Sequence, residues 1–531
     1  MKIRLPMFLN SYVERIIEYL ASKLSNNVLE AGIPLSPYRL SKVITCLTLS
    51  LLIALTVVST FLMIFYGSTV FILLIPLCLL PIPVTFLWLW NSKDSRERRV
   101  SEELRYFLTY ASLLHAGGLS LYDAFKRIIG KKLFPKLEEE AKLIVRNVEI
   151  LGSDPLEALE EVARYNPSKS FRELIYGYTA LAHSGGDLYK YLEDKAKHEL
   201  KSLIEAYERY SMRTSVFGEI ACSFLILFSM ITCVSTVLSP QQLVEMLTLH
   251  IFILLPVMAT LMFLTIHYTQ PKIGFKFKNN LKYVLLGLGL SLPFTILVND
   301  LVLQASITIT SILACLGIKY AYEYRRVSRI EKDLLLFLRE LVEYRKMGYT
   351  PFQALERILS HSQFSREFEK ILLDIAFKVR MGFKPSDINV DSGSWLADFT
   401  FSILGDIEDC GGGTPALLEE IHGFIDKIIK VRRDVKASIR MYEMLAYASP
   451  VLITIAIAVS ISLLKMLNRV HVDFIPLSTS IEHVVFWFKI MLVSSTLLLA
   501  LLTDKIVEFS LKSGLRSSIV MGLSLIHISE P

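Results

Sequence analysis

An acid–base pair of carboxylates is the chemistry an apolar chain would most readily carry, and this sequence supplies few candidates. Gly405-Asp406 has the form of the GD element of an intramembrane peptidase, but it falls in a polar stretch. Asp300 sits in a short turn and Asp504 at the edge of an apolar run. A two-carboxylate mechanism needs both groups at one reacting centre, and no second membrane aspartate is placed to join Asp406. Gly411-Gly412-Gly413 offers backbone amides, yet no Lys-Ser/Thr pair follows and the flanks read as helix, so it is not a phosphate loop. Cys46, Cys78, Cys222, Cys233 and Cys315 lie in or beside apolar runs, and Cys410 alone is in a polar stretch. None has metal-ligand spacing. The reading is of a non-enzyme with no cofactor and no metal.

Two ionisable residues inside apolar runs remain, Glu219 and Lys489. Charge in hydrocarbon is costly and tends to face a protein interior or a cavity. Both are candidate intramembrane polar contacts, and a mutual pair is one arrangement. Each also lies near a run end, where a long side chain can reach the interface. Glu443, Lys465 and Asp504 are boundary residues whose simplest roles are topology and packing.

The elements that carry these residues alternate between apolar and polar. Of 531 residues 53% are hydrophobic, above the roughly 45–50% of soluble domains. Crossing a bilayer takes about 20 helical residues. Runs near that length are Val43–Phe65, Thr69–Trp90, Val216–Leu238, Leu247–Ile266, Val284–Leu297, Leu301–Ile318, Leu445–Leu464 and Val484–Leu502. A ninth starts near Ser517. Open sheet edges are prohibitive in lipid, so these should be helices. Lys2, Arg4, Arg15, Lys23, Arg39 and Lys42 precede the first run, and Lys272, Lys276, Lys278 and Lys282 follow the fourth. The positive-inside rule then puts the amino terminus and both polar stretches in the cytoplasm. External connections are expected at Tyr66-Gly67-Ser68, from Ser239, at Asn299-Asp300 and over Asn468–His483. Lys and Arg exceed Asp and Glu by only 57 to 51, which reads as orientation charge and not as a nucleic-acid-binding face.

The expected fold is all-α: a polytopic helical membrane protein with two cytoplasmic helical-bundle domains. Its divisions are a cytoplasmic segment at 1–42, a transmembrane hairpin at 43–90, a first bundle at 91–215 and four transmembrane helices at 216–320. A second bundle at 321–440 and a final membrane region at 441–531 follow. The bundles read as copies. Gly118 and Gly348, Ala124 and Ala354, and Gly152 and Gly382 all stand 230 residues apart. Gly185-Gly186 and Gly411-Gly412 follow in the same order at an offset of 226, which marks a duplication. These eight glycines are read as helix turns and close packing. The second copy departs at Met381-Gly382-Phe383-Lys384-Pro385, which lacks the first copy's Leu-rich continuation, and at Gly413, which replaces Asp187.

The landmarks His115-Ala116-Gly117-Gly118, Gly152-Ser153-Asp154-Pro155-Leu156 and Leu181-Ala182-His183-Ser184-Gly185-Gly186-Asp187-Leu188 resemble those of the type II secretion F-domain family. The larger archaeal form, with two F domains, is the nearest pattern, and it serves archaellum and type IV-like pilus assembly. The resemblance implies a cell-membrane platform that couples a separate hexameric cytoplasmic ATPase to insertion of pilin or archaellin subunits. It also implies homo-oligomers in the lipid bilayer and no nucleic acid. Arg432, Arg433, Lys436 and Arg440 form basic ground beside the membrane; they suit either ATPase docking or positive-inside anchoring. A secondary transporter is the alternative, although the recognisable repeats lie in the polar stretches. Residues Ser524–Pro531 resemble translated adapter sequence, so the natural chain is expected to diverge after about Leu523.

Overall fold

The computed structural model describes residues 7–33, 36–66, 79, 81–238, 242–270, 281–361, 363–411, 413–469, 481–510 and 513–528. Among these, every regular element is helical. The expected turn at Gly67-Ser68 and most of the run 69–80 lie outside the described residues, as do 239–241, Lys272, Lys276, Lys278, Gly412 and most of Asn468–His483. Two compact units result, Met1–Leu200 with Cys410–Gly412, and Lys201–Asp409 with Gly413–Pro531.

The first unit begins with α1 (Met7–Ala31) and α2 (Pro37–Tyr66), followed by α3 (Pro81–Ala116). Leu24, Val28, Leu40, Ile44 and Leu89 bury a seam between these three helices. Then come α4 (Leu121–Ile128), α5 (Pro135–Glu149), α6 (Pro155–Arg164), α7 (Lys169–Ser184) and the start of α8 (Leu188–Leu238). Local signals set the starts. Ser120 and Asp123 form a reciprocal capping box on α4. Asp154 accepts from Leu156 N at 2.9 Å, with Pro155 at the first position of α6. The core is aromatic: Phe107 packs at a tilt on Phe125, ring centres 4.5 Å apart, and meets Phe134 edge-on at 5.9 Å. Arg96 clamps Glu140 through two 2.9 Å hydrogen bonds and donates to the Leu29 and Glu30 carbonyls, which pins the end of α1.

The second unit takes the rest of α8, then α9 (Leu243–Leu249), a π-helical turn at His250–Leu254 and α10 (Leu255–Thr269). Next are α11 (Leu281–Leu297) and α12 (Leu301–Lys346), the latter capped by Asp300. The polar helices α13 (Pro351–His361), α14 (Arg366–Arg380), α15 (Trp395–Asp409) and α16 (Pro415–Ser438) follow. They lead into α17 (Arg440–Arg469), α18 (Ile481–Val507) and α19 (Leu515–Ile528).

Five of the described helical stretches are long and apolar enough to cross a membrane: Pro37–Phe61, Leu243–Thr269, Leu301–Lys346, Pro415–Met466 and Glu482–Val507. Their outward side chains are apolar too, as at Ile53 (65% exposed) and Phe252 (67%). A helix apolar on every side belongs in a core or in lipid. With its outer faces uncovered, this set makes the chain a membrane protein. At 46 residues, α12 is about 69 Å long, roughly twice a hydrocarbon core of about 30 Å. One uninterrupted rod therefore carries the apolar run at its start into the polar helices at its end.

The helix order of the first polar stretch, without α6, is followed in the second. Phe107 and Phe337 occupy equivalent core positions, and Phe337 packs on Phe368 and Phe401 as Phe107 packs on its neighbours. Both preceding helices end alike: Gly118 and Gly348 each adopt φ 90°. Leu119 N bonds Leu114 O at 3.1 Å, and Tyr349 N bonds Tyr344 O at 3.2 Å. A Cβ at such a φ costs about 1–2 kcal/mol, which is why glycine stands there. The copies part after α5 and α14. The first continues into the ten-residue α6. The second has a three-residue 3-10 turn, Pro385–Asp387, and extended chain. Where Asp187 caps α8 at Lys190 N, Thr414 takes the equivalent place on α16 and accepts from Leu417 N.

Glu103, on α3, caps α5 from the side by accepting the Lys136 and Leu137 amides at 2.9 Å each. Burial outweighs those bonds and pushes its carboxyl up to about 7. The folded state thus holds a proton that the unfolded chain releases above about 4.5, and stability falls as pH rises through that window. Glu103→Gln keeps an acceptor without the charge. Its melting temperature relative to the parent should climb between pH 4.5 and 7 and then level off; a pH-independent difference would contradict this.

Candidate coupling site

A polar cluster in the second unit lies where α12, α16, α17, α18 and α19 meet. Its placement begins with a close backbone approach. A Cβ on Gly317 of α12 would stand 2.8 Å from both the Gly514 carbonyl and Leu515 Cα. Gly514 itself adopts φ 64°. Only glycine at both places lets the start of α19 lie against α12.

That approach brings Glu508, just past α18, under α12. Glu508 is 6% exposed. Tyr320 of α12 donates to its Oε2 at 2.7 Å. Lys436 of α16 lies 3.4 Å from the same oxygen and also reaches the Tyr324 hydroxyl at 3.0 Å. Arg516 of α19 approaches Oε1 at 3.5 Å, pairs with Glu443 of α17 and donates to the Tyr447 hydroxyl at 3.0 Å. Tyr447 donates in turn to Glu443 at 2.7 Å. Asp504 accepts the Arg516 and Ser517 amides at 2.9 and 3.3 Å and so caps α19. A buried pair broken on one side typically costs about 3–5 kcal/mol, because the surviving charge is left uncompensated. The network ties four helices and a turn to one another.

The candidates read from sequence are dispersed. Lys489 forms its salt bridge with Asp300, the cap of α12, whose carboxyl is held below its ordinary range by the Lys489 hydrogen bond. Glu219 is exposed and takes a 3.4 Å bond from Ser215 on its own helix. The pair considered between Glu219 and Lys489 is thus replaced by one that reaches the Asn299-Asp300 turn, within range of a long lysine stem. Of the four basic residues near the end of α16, Arg432 pairs with Glu331 at 3.3 Å and Lys436 enters the Glu508 network. Arg433 and Arg440 are exposed. Gly152, Gly185, Gly382 and Gly411 have φ of 72°, 70°, 87° and 69°. At Gly186 a Cβ would meet Leu181 Cδ2 at 2.8 Å, and Gly412 is outside the described residues. A side chain at Gly405 would run into the Pro385 carbonyl, so Gly405-Asp406 has a packing reason for its glycine.

Glu508, Arg516, Tyr320, Tyr324 and Tyr447 were not singled out by sequence. One signal was present: Asp504, Lys505, Glu508 and Arg516 crowd the short gap between two apolar runs, and orientation charge accounts for the bases but not for the acids. Among the described residues, no group of three His, Cys, Asp or Glu side chains is arranged to hold a metal ion.

Residues 107–236 match the model of the family described as type II secretion system (T2SS), protein F. Over 146 residues the chain is 25% identical to an uncharacterized protein of Methanocaldococcus jannaschii, a stretch covering 26% of this chain and 24% of that protein. The similarity therefore spans about a quarter of the relative's length. No solved structure matches. The chain is a helical membrane protein related to the T2SS protein F domain family, and the matched segment runs from the end of α3 into the apolar part of α8.

Gly317→Val should force α12 and α19 apart and cost about 1–3 kcal/mol, read as a lower melting temperature in detergent. Gly289, on α11, has open space at its Cβ, and Gly289→Ala should leave that temperature nearly unchanged. Equal effects of the two would contradict the close-approach account.

Proposed function

We propose that this protein is a polytopic cell-membrane platform for assembly or secretion of archaeal type IV-like filaments. In this reading the polar helix sets α3–α8 and α12–α16 face the cytoplasm, where a separate hexameric ATPase engages them. The apolar helices receive pilin or archaellin subunits, and the platform works as a homo-oligomer. The observation that carries the proposal is the match of residues 107–236 to the T2SS protein F family. The helix order of that stretch, without α6, is followed in α12–α16, beside further membrane-length helices. A separate motor is part of the reading because the sequence has no nucleotide-binding loop. Exposed Arg433 and Arg440 are the more accessible of the basic residues for motor docking, since Arg432 and Lys436 have internal partners.

Disrupting the gene and imaging cells by electron microscopy tests this. Loss of surface filaments, with filament subunits still present in the membrane and filaments restored by the intact gene, is the expected result. Intact filaments together with a defect in uptake of one solute would contradict it and favour a transporter.

A further inference from the structure

The two helix sets differ in what they offer one arginine. Arg326 of α12 stands 230 residues beyond Arg96 of α3, the interval that also separates Phe107 from Phe337. Aligning α5 with α14 from their first residues, both helices being 15 residues long, matches buried Leu137 and Ala141 with buried Phe368 and Leu372. The same alignment sets Ile371 where Glu140 stands. Arg96 is clamped by a carboxylate, and Arg326 is not. Among the described residues Arg326 forms no ion pair; it donates to the Ser392 carbonyl at 3.5 Å.

Arg326 instead lines a hollow of about 550 Å³, together with Arg366, Lys370 and Ile371 of α14 and Tyr322 of its own helix. Arg366 and Lys370 also form no ion pair among the described residues. Of the acids around the hollow, Glu367 lies 3.6 Å from Arg329 and Asp374 lies 2.6 Å from Lys378. Asp391 is the lining acid without such a partner, so three unpaired cations face one unpaired carboxylate. Gathered like charges repel, and an anion between them removes that cost. The level of the hollow follows from its neighbours. Helix α11 packs on α12 so closely that a Cβ on Gly287 would stand 2.6 Å from Ile312 Cα. One end of this contact has Lys319 4.7 Å from the centre of the Tyr283 ring, with Lys282 exposed beside it. Basic and aromatic residues at the end of apolar runs mark the membrane–water boundary. At 1.5 Å per residue, Tyr322 stands about 4–5 Å beyond Lys319 and Arg326 about 10 Å beyond it. The headgroup layer is about 5–8 Å deep, and an arginine stem spans the difference.

We propose that this hollow binds the phosphate headgroup of an anionic membrane lipid, the phosphate standing to Arg326 as the Glu140 carboxylate stands to Arg96. Arginine takes either group through the same paired N–H donors. Arg366 and Lys370 add the charge that selects an anionic headgroup over a zwitterionic one, as basic ground beside a leaflet does. The inference requires α12 to cross the bilayer and is independent of the filament reading.

The test titrates the full-length protein in detergent micelles with dioctanoyl phosphatidic acid and counts bound lipid by native mass spectrometry. Saturable binding is expected, tighter than that of dioctanoyl phosphatidylcholine. Arg326→Gln should weaken it about fivefold, the equivalent of about 1 kcal/mol for one basic residue at an anionic surface. Arg325→Gln removes the same charge at the same level of α12 but outside the hollow, and should leave binding unchanged. Ile371→Glu puts back the acid that the first set has, so it should abolish binding while the melting temperature holds or rises. Equal affinity for phosphatidylcholine, or equal weakening by Arg325→Gln and Arg326→Gln, would overturn the proposal. So would competition by inorganic phosphate as effective as that by the lipid, which would assign the hollow to a free anion.

Discussion

A carboxylate held out of water at the end of an apolar helix must find positive charge within reach, and Glu508 is met by cations from two different helices. Lys436 comes from the last polar helix and Arg516 from the first turn of α19, while the Tyr320 hydroxyl closes the remaining side. Because each partner sits on a separate element, satisfying one carboxylate fixes the mutual placement of α12, α16, α19 and the end of α18. Arg516 extends the constraint to α17 through Glu443. Glu508 is buried, so removing either cation leaves its charge less well compensated.

The two polar helix sets consequently stand on different footings. The first, α3–α7, belongs to a compact unit with α1 and α2, closed by the Arg96–Glu140 clamp and an aromatic core. The second shares its unit with the apolar helices α10–α12 and α17–α19. The length of α12 explains part of this, since a single rod of 46 residues cannot leave one region without entering the next. The Glu508 network explains the rest. A displacement applied to α16 would reach α18 and α19 through Lys436 with little slack.

Much of this was legible in the sequence, and for identifiable reasons. Helix turns depend on local backbone geometry, so Gly118, Gly152, Gly185, Gly348, Gly382 and Gly411 marked turns, and all six have positive φ. Apolar run length gave α2, α10, α17 and α18 in the same way. The break at Met381-Gly382-Phe383-Lys384-Pro385 was visible as a lost Leu-rich pattern, and it is where α6 has no counterpart. The coupling site was not legible. Its partners are 188 residues apart for Tyr320 and Glu508 and 72 for Lys436 and Glu508, and nothing local encodes which acid meets which base. Lys489 shows the same limit, for its partner Asp300 lies 189 residues away in a turn.

The account rests on Lys436 and Glu508 acting as a pair and not as two independent boundary charges. A double-mutant cycle with Lys436→Met and Glu508→Gln, read from unfolding in mixed micelles, measures this directly. Coupling of about 1 kcal/mol or more is predicted, within the range of about 0.5–3 kcal/mol for residues that share a network. Additivity to within about 0.3 kcal/mol would contradict the claim that this carboxylate ties the polar helices to the membrane helices.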